Sequence, residues 1–274
     1  MLFPSTLLIR SHKVRLLASV FVAGALAITV AGCKTTQDET TGSIAAAPTG
    51  TPKSDAEWRQ YASAWGERYH RNAADAEAAM HYARALRAIG ERAQAVAVLR
   101  QASMHNPYDK ALLGDYGRAL AEVGDFEQAL TVLSRAHTPD QPDWRILNAE
   151  GAVLDQMGRH QEAQRYYSNA LKIKPNDPSV LSNLGLSYAL SKDLKRAEAT
   201  LRHALTQPEA GPKVRQNLAL IVGLQGRFAE AEKIASADLP AEQATANVKY
   251  LRQMLAQRAS GKKQSAAQPA ANNS

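Results

Sequence analysis

The sequence predicts an all-α solenoid, a row of antiparallel helix pairs, and three observations carry that prediction. The first is a period of 34 residues. The stretch 144–177, WRILNAEGAVLDQMGRHQEAQRYYSNALKIKPND, keeps register with its neighbours, so the chain divides at 76–109, 110–143, 144–177, 178–211 and 212–245. A fixed period of that length marks a helical array in which each unit buries its apolar face against the next. The second is a pair of small-residue columns: Ala83, Gly117, Gly151, Gly185 and Ala219 at the eighth place, and Ala95, Ala129, Ala163, Ala197 and Ala231 at the twentieth. Only such side chains let the two helices of a hairpin cross closely. The third is a column of helix starters at the unit ends, Asp75, Asp109, Asp143, Asp177, Gly211 and Thr245, with Pro178 and Pro212 next in line. These residues favour N-caps, and proline at the first helical position gives up no needed N–H.

Between the helices of each pair stand Gly90, Gly124, Gly158, Lys192 and Gly226. A turn of this kind needs positive φ, which an ordinary residue adopts at a cost of roughly 1 kcal/mol, so the Lys192 turn is expected to be the strained one. Together the columns resemble the tetratricopeptide repeat over residues 76–245. The resemblance implies a right-handed superhelix with a concave groove.

Taken from the start, residues 1–32 hold no acid, carry Arg10, Lys13 and Arg15, and run apolar from Leu16 to Val30 before Ala31, Gly32 and Cys33. That is the pattern of a secretory signal segment, and its apolar run is shorter than the roughly 20 residues a membrane span needs. Cys33 is the sole cysteine, which rules out an intrachain disulfide. The run Val30-Ala31-Gly32-Cys33 resembles a bacterial lipobox, which implies a diacylglycerol on the Cys33 thiol, cleavage before it and acylation of the new amine. Two or more acyl chains anchor a protein stably in a lipid bilayer where one does not. Lys34, in place of an aspartate, implies the periplasmic face of the outer membrane by the sorting rule of enteric lipoproteins.

Residues 33–54 are then the lipidated end and a tether, poor in large apolar side chains and with a coil reach on the order of 25 Å. Residues 55–75 form a half-repeat helix whose Trp58, Tyr61, Trp65 and Tyr69 share one face. That face either caps the first unit or meets a partner. Residues 246–259 read as a C-terminal capping helix with Val248, Leu251, Met254 and Leu255 on its apolar side, and 260–274 as a disordered tail.

Charge and motifs exclude several functions. The formal charge is +7, but residues 1–32 account for three of those positives, leaving +4 on the rest of the chain. No basic block with interleaved aromatics marks a nucleic-acid binder. The histidines His70, His81, His105, His137, His160 and His203 are scattered without ligand spacing, and no zinc-protease, phosphate-loop or nucleophile-elbow motif occurs. Neither catalysis, a metal, a cofactor nor a small-molecule substrate is expected, which leaves the groove.

At about 100° per residue, places four, seven, eight and eleven of each first helix face the core, and places two, five, six, nine, twelve and thirteen face the concave side. The groove is then polar and cationic at first, with Arg84, Arg87 and Arg118 beside Glu77 and Glu122. Arg145, Asn148, Asp155 and Gln156 follow in the third unit. In the last two units it carries Asn183, Leu186, Leu190, Asn217, Leu220 and Leu224. Leucines on a wet face mark a contact site, or else they meet adjacent helices or the terminal lid. Asn183 and Asn217 resemble the asparagines with which this repeat family holds a peptide backbone. The family's full carboxylate clamp is only partly matched. Glu150 and Arg215 stand at core places and are expected at the rim with their charged ends in water, a buried pair being the alternative and a candidate switch.

The segments WRILNAEGAVLDQMG (144–158) and RQNLALIVGLQGRFAEAE (215–232), with the lipobox, resemble the TadD family of lipoproteins of the tight-adherence (Tad, Flp) pilus system. That resemblance implies assembly or secretion of adhesive type IV-like pili, with the outer-membrane secretin as the leading partner. A pilotin-like lipoprotein of another type IV system and a lipoprotein regulator of a cell-wall enzyme remain open alternatives.

Overall fold

The computed structural model describes residues 51–267, so the signal segment, Cys33 and the tether up to residue 50 lie outside the described residues. Twelve helices occur within them: α1 (Asp55–Arg71), α2 (Ala76–Ala88), α3 (Arg92–His105), α4 (Lys110–Val123), α5 (Phe126–Leu133), α6 (Trp144–Gln156), α7 (His160–Ile173), α8 (Pro178–Leu190), α9 (Leu194–Leu205), α10 (Pro212–Leu224), α11 (Phe228–Ala235) and α12 (Ala241–Ala267). Among the described residues there is no strand, only an isolated bridge between Thr138 and Gln141. None of these helices is long and apolar enough to cross a membrane.

Each helix start has a chemical cause. The carboxylates of Asp75, Asp109, Asp143 and Asp177 accept from the backbone N–H groups of Ala78, Leu112, Arg145 and both Ser179 and Val180, which open α2, α4, α6 and α8. Pro178 and Pro212 occupy the first turns of α8 and α10. Thr245 departs from the expectation. It lies inside α12, its hydroxyl donating to the Ala241 carbonyl one turn back, because the helix starts earlier, on the Pro240 carbonyl that accepts from Gln243 and Ala244. α12 also continues to Ala267, past residue 260 where the sequence places a disordered tail.

The crossing point of each pair is tight. Ala95, Ala129, Ala163, Ala197 and Ala231 are wholly buried. A methyl group added at Gly151 would stand 2.6 Å from the Tyr167 ring, and one at Gly185 would stand 2.8 Å from Leu201 and 3.3 Å from the Ala197 carbonyl oxygen. The eighth place of one helix therefore rests on the twentieth and twenty-fourth of the next. The turn column adopts positive φ throughout, Lys192 included at +68°, and Asn176 joins it at +62°.

Consecutive helices pack in sequence, and α2, α4, α6, α8 and α10 also touch one another in a row, forming the inner layer that presents the candidate site. The stack is closed at both ends. At the first, Tyr61, Trp65 and Tyr69 are buried against α2, with Trp65 stacked on His81 at 4.1 Å and the Tyr61 hydroxyl 2.6 Å from His81 Nδ1. At the last, Leu251 of α12 seats over Gly223 of α10, where a methyl would come within 2.5 Å of it.

Candidate functional site: the inner face

The inner face is built from the same few places of each first helix, so equivalent side chains recur side by side. Asn183 donates from Nδ2 to Asn148 Oδ1 at 3.0 Å, and Asn217 donates from Nδ2 to Ser182 Oγ at 2.8 Å. Each asparagine thus ties its helix to the preceding one and keeps its own carbonyl oxygen, half-exposed, for another partner. The row formed by α6, α8 and α10 is joined by one amide-to-amide and one amide-to-hydroxyl bond. This placement was legible from the repeat frame; the bonds between neighbours were not.

Leu186, Leu190, Leu220 and Leu224 are all half-buried. Leu186 and Leu224 pack against the core of the last two units, so for these two the alternative of contact with adjacent helices holds, and a change there would reach the core. Their apolar surface is shared between the stack and the groove. At the other end Arg84 is exposed, its guanidinium 5.7 Å from the centre of the Trp58 ring, and Arg118 donates to Asp115 at 2.7 Å. Arg87 reaches across to Glu122 of the next unit, donating from Nε to Oε2 at 2.8 Å, and that hydrogen bond holds its pKa above the ordinary value in spite of burial.

Two acids of α6 depart from their expected positions. Glu150, expected at the rim, is 2% exposed. His137, from the loop between α5 and α6, brings Nε2 to 3.1 Å from Glu150 Oε2, while its Nδ1 is buried without a partner. Burial pushes the Glu150 carboxyl above its ordinary value, against the pull of His137. Asp155, expected in the groove, is buried instead. It accepts from the Tyr167 hydroxyl at 3.0 Å and from the Ser187 hydroxyl at 2.8 Å, with His160 Nδ1 2.9 Å away. Burial and the neighbouring Asp155 hold the Tyr167 hydroxyl far above its ordinary pKa. Ser187 donates to the carboxylate rather than to the imidazole and has no exposed surface, so this Asp, His and Ser set is a structural joint and not a nucleophile. Arg215 keeps to the rim, paired with both oxygens of Asp238 at 2.7 Å.

Between α4 and α6 lies a cavity of 720 Å³, with Arg118 on its wall. Lys110, Trp144 and Arg145 also line it. The sequence places Arg118 and Arg145 on this face, but their places in the frame do not show that the space between them is hollow. The signal that could have shown it is the pair Pro139 and Pro142, which sit where α3 and α7 are still helical or turning into the next unit.

A family model described as tetratricopeptide repeat matches residues 90–150 and 156–220. No curated protein matches the sequence. Among solved structures, PilW, a widely conserved type IV pilus biogenesis factor, superposes with a TM-score of 0.62 at 17% identity, over 70% of this chain and 91% of that one. The Cut9–Hcn1 hetero-tetramer of APC/C gives 0.55 at 19% identity, over 70% of this chain and 40% of that one. The human IFIT1 dimer with PPP-AAAA gives 0.53 at 15%, over 66% and 45%. At such identities the likeness is one of fold. With the helix pairs, their crossing points and the matched repeats in agreement, the chain is an all-α tetratricopeptide-repeat solenoid, a fold of protein-interaction scaffolds.

Proposed function

We propose that the protein is a lipid-anchored scaffold of the tight-adherence (Tad, Flp) pilus system. In this reading Cys33 is acylated and holds the solenoid at the periplasmic face of the outer membrane. The inner face then captures a segment of the pilus machine, the secretin first among the candidates, and keeps it where it must assemble. The observation that carries the reading is the continuous inner row, in which Asn183 and Asn217 stand at the same place of adjacent units, each bonded to the preceding helix through Asn148 or Ser182, beside the half-exposed Leu186, Leu190, Leu220 and Leu224. An amphipathic helix laid in such a groove would set its apolar side on the leucines. The lipobox and the TadD-like segments support the choice of system, and the superposition on the pilus biogenesis factor adds the architecture alone.

Leu190 and Leu220 are the residues to change, because Leu186 and Leu224 also serve the core. The double variant Leu190→Ser/Leu220→Ser should keep its helical circular dichroism and capture purified secretin at least about tenfold less well than wild type, since losing two apolar anchors removes a few kcal/mol of burial. Equal capture by the folded variant would reject the groove. In parallel, Cys33→Ser should abolish incorporation of labelled palmitate, and undiminished labelling would reject the anchor.

A further inference from the structure

The second unit is built differently from its neighbours. α5 ends at Leu133 after 8 residues, where α3 and α7 run for 14. Thr138 precedes Pro139 and cannot continue a helix, so the chain folds instead into a loop closed by the paired backbones of Thr138 and Gln141. This loop, the start of α6 and the exposed side of α4 line the 720 Å³ cavity, which is open to solvent.

Its lining is charged in an unbalanced way. Two carboxylates are present and both are engaged: Asp115 accepts from Arg118 at 2.7 Å, and Asp143 accepts from the Arg145 backbone N–H at 2.7 Å as the cap of α6. Lys110 donates only to the neutral amide oxygen of Gln141, at 3.1 Å. The Arg145 guanidinium lies 4.6 Å from the centre of the Trp144 ring, exposed and bonded to no carboxylate among the described residues. Arg84 over Trp58 and Arg252 over Phe228 share this arrangement, but of the three only Arg145 lines the cavity; Arg68, Arg87, Arg159, Arg202, Arg215 and Arg227 hold carboxylates of this chain. A guanidinium set over an aromatic face keeps its edge N–H groups free and is pre-organised to grip a planar anion. Ile146, drawn in against Gly114, gives the same cavity an apolar wall beside Trp144.

We propose that this cavity is a docking site for an acidic segment of a partner polypeptide, with a side-chain carboxylate held by Arg145 and Lys110 and an adjacent apolar side chain set against Trp144. Charge complementarity selects the occupant. With Asp115 paired to Arg118, the lining sets Lys110 and Arg145 against Asp143, a net single positive charge that suits one carboxylate, whereas the two aspartates oppose the dense phosphates of a nucleic acid. The inference rests on the inner face being a capture surface, and not on which machine supplies the client.

The test uses the full chain in detergent and a capped, fluorescein-labelled peptide of alternating Glu and Leu, read by anisotropy. Wild type should bind it and bind the Gln-for-Glu counterpart about tenfold less well, and Arg145→Ala and Lys110→Ala should each weaken the Glu peptide about tenfold, the scale of a charge-assisted hydrogen bond. Circular dichroism should be unchanged, because both side chains are exposed. No binding by wild type, equal binding of the Gln peptide, or binding that survives Arg145→Ala would each overturn the site. A single-stranded oligonucleotide bound more tightly than the Glu peptide and lost with Arg145→Ala would reassign the cavity and overturn the proposal as well. Failure here leaves the secretin capture by Leu190 and Leu220 untouched; conversely, a peptide bound through Arg145 with no secretin captured rejects that client and keeps the pocket.

Discussion

Asp155 and Glu150 are both buried acids on α6, yet they close the two sides of the third unit by different means. On the side of α7 and α8, Asp155 collects Tyr167, His160 and Ser187, so three elements share one carboxylate whose neighbours are all satisfied. On the side of α5, Glu150 has one imidazole, that imidazole has a buried nitrogen with no partner, and the cavity opens nearby. A fully satisfied polar network rigidifies a joint, and a partly satisfied one marks where packing gives way. The same repeat frame thus yields a fully satisfied joint after the third unit and a partly satisfied one before it.

The largest effect expected from breaking this contrast is at the stiff joint. Asp155→Ala would leave the buried Tyr167 hydroxyl without an acceptor and Ser187 with only the His160 carbonyl at 3.4 Å, at a cost of about 2 to 4 kcal/mol. Urea denaturation followed by circular dichroism measures it. A loss under about 1 kcal/mol would mean that water or a shifted neighbour replaces the carboxylate, and the joint would not be the stiff one.

At the looser joint the sign reverses and depends on pH. The folded pKa of Glu150 is raised above its unfolded value, so the group favours folding below the ordinary carboxylate range and loses that contribution as pH rises through the folded value. Glutamine does not titrate, and its amide can still donate to His137 Nε2. Glu150→Gln should therefore stabilise the protein by on the order of 1 kcal/mol at neutral pH, with the gain shrinking as pH falls through the carboxylate range. Thermal midpoints across that range decide it. A variant less stable than wild type at neutral pH would show instead a charged pair with His137 that favours the fold.

The difference between these joints was only partly legible in the sequence. The period, the alanine columns and the aspartate caps fix the helix pairs, because each acts locally or against the adjacent unit. Asp155 was misplaced because angular position on one helix does not report the next unit's Ser187, which arrives across a loop and a second helix. Glu150 was misplaced for the same reason: its partner His137 comes from a loop created by the early end of α5, and with α5 assumed full length no loop would be there to supply it. The asparagines and leucines lie on first helices as the frame places them, but their bonds and half-burial, like the burial of Asp155, depend on contacts between units that an angle on one helix leaves open.

The smallest expected effect concerns the turn next to the stiff joint. Lys192 stands at φ +68° where the other units have glycine, and the structure holds it from several sides: its own N–H donates to the Ala189 carbonyl at 2.9 Å, and Asp193 N–H donates to Tyr188 at 2.8 Å. Gln164 of α7 adds a bond to Ser191 Oγ at 3.1 Å, which carries the Asp155 joint out to this turn. Such over-determination keeps a non-glycine residue in the left-handed region at a cost of about 1 kcal/mol. Lys192→Gly should recover up to that amount, less what the freer unfolded chain takes back. Gly158→Lys supplies the mirror experiment, because a Cβ there at φ +77° would meet nothing within 4 Å, so backbone strain dominates its effect. The two changes should shift the free energy of urea unfolding in opposite directions by less than about 1 kcal/mol each. If Lys192→Gly instead destabilises, the lysine side chain contributes to the joint, and the strain assigned to this turn is offset by its own contacts.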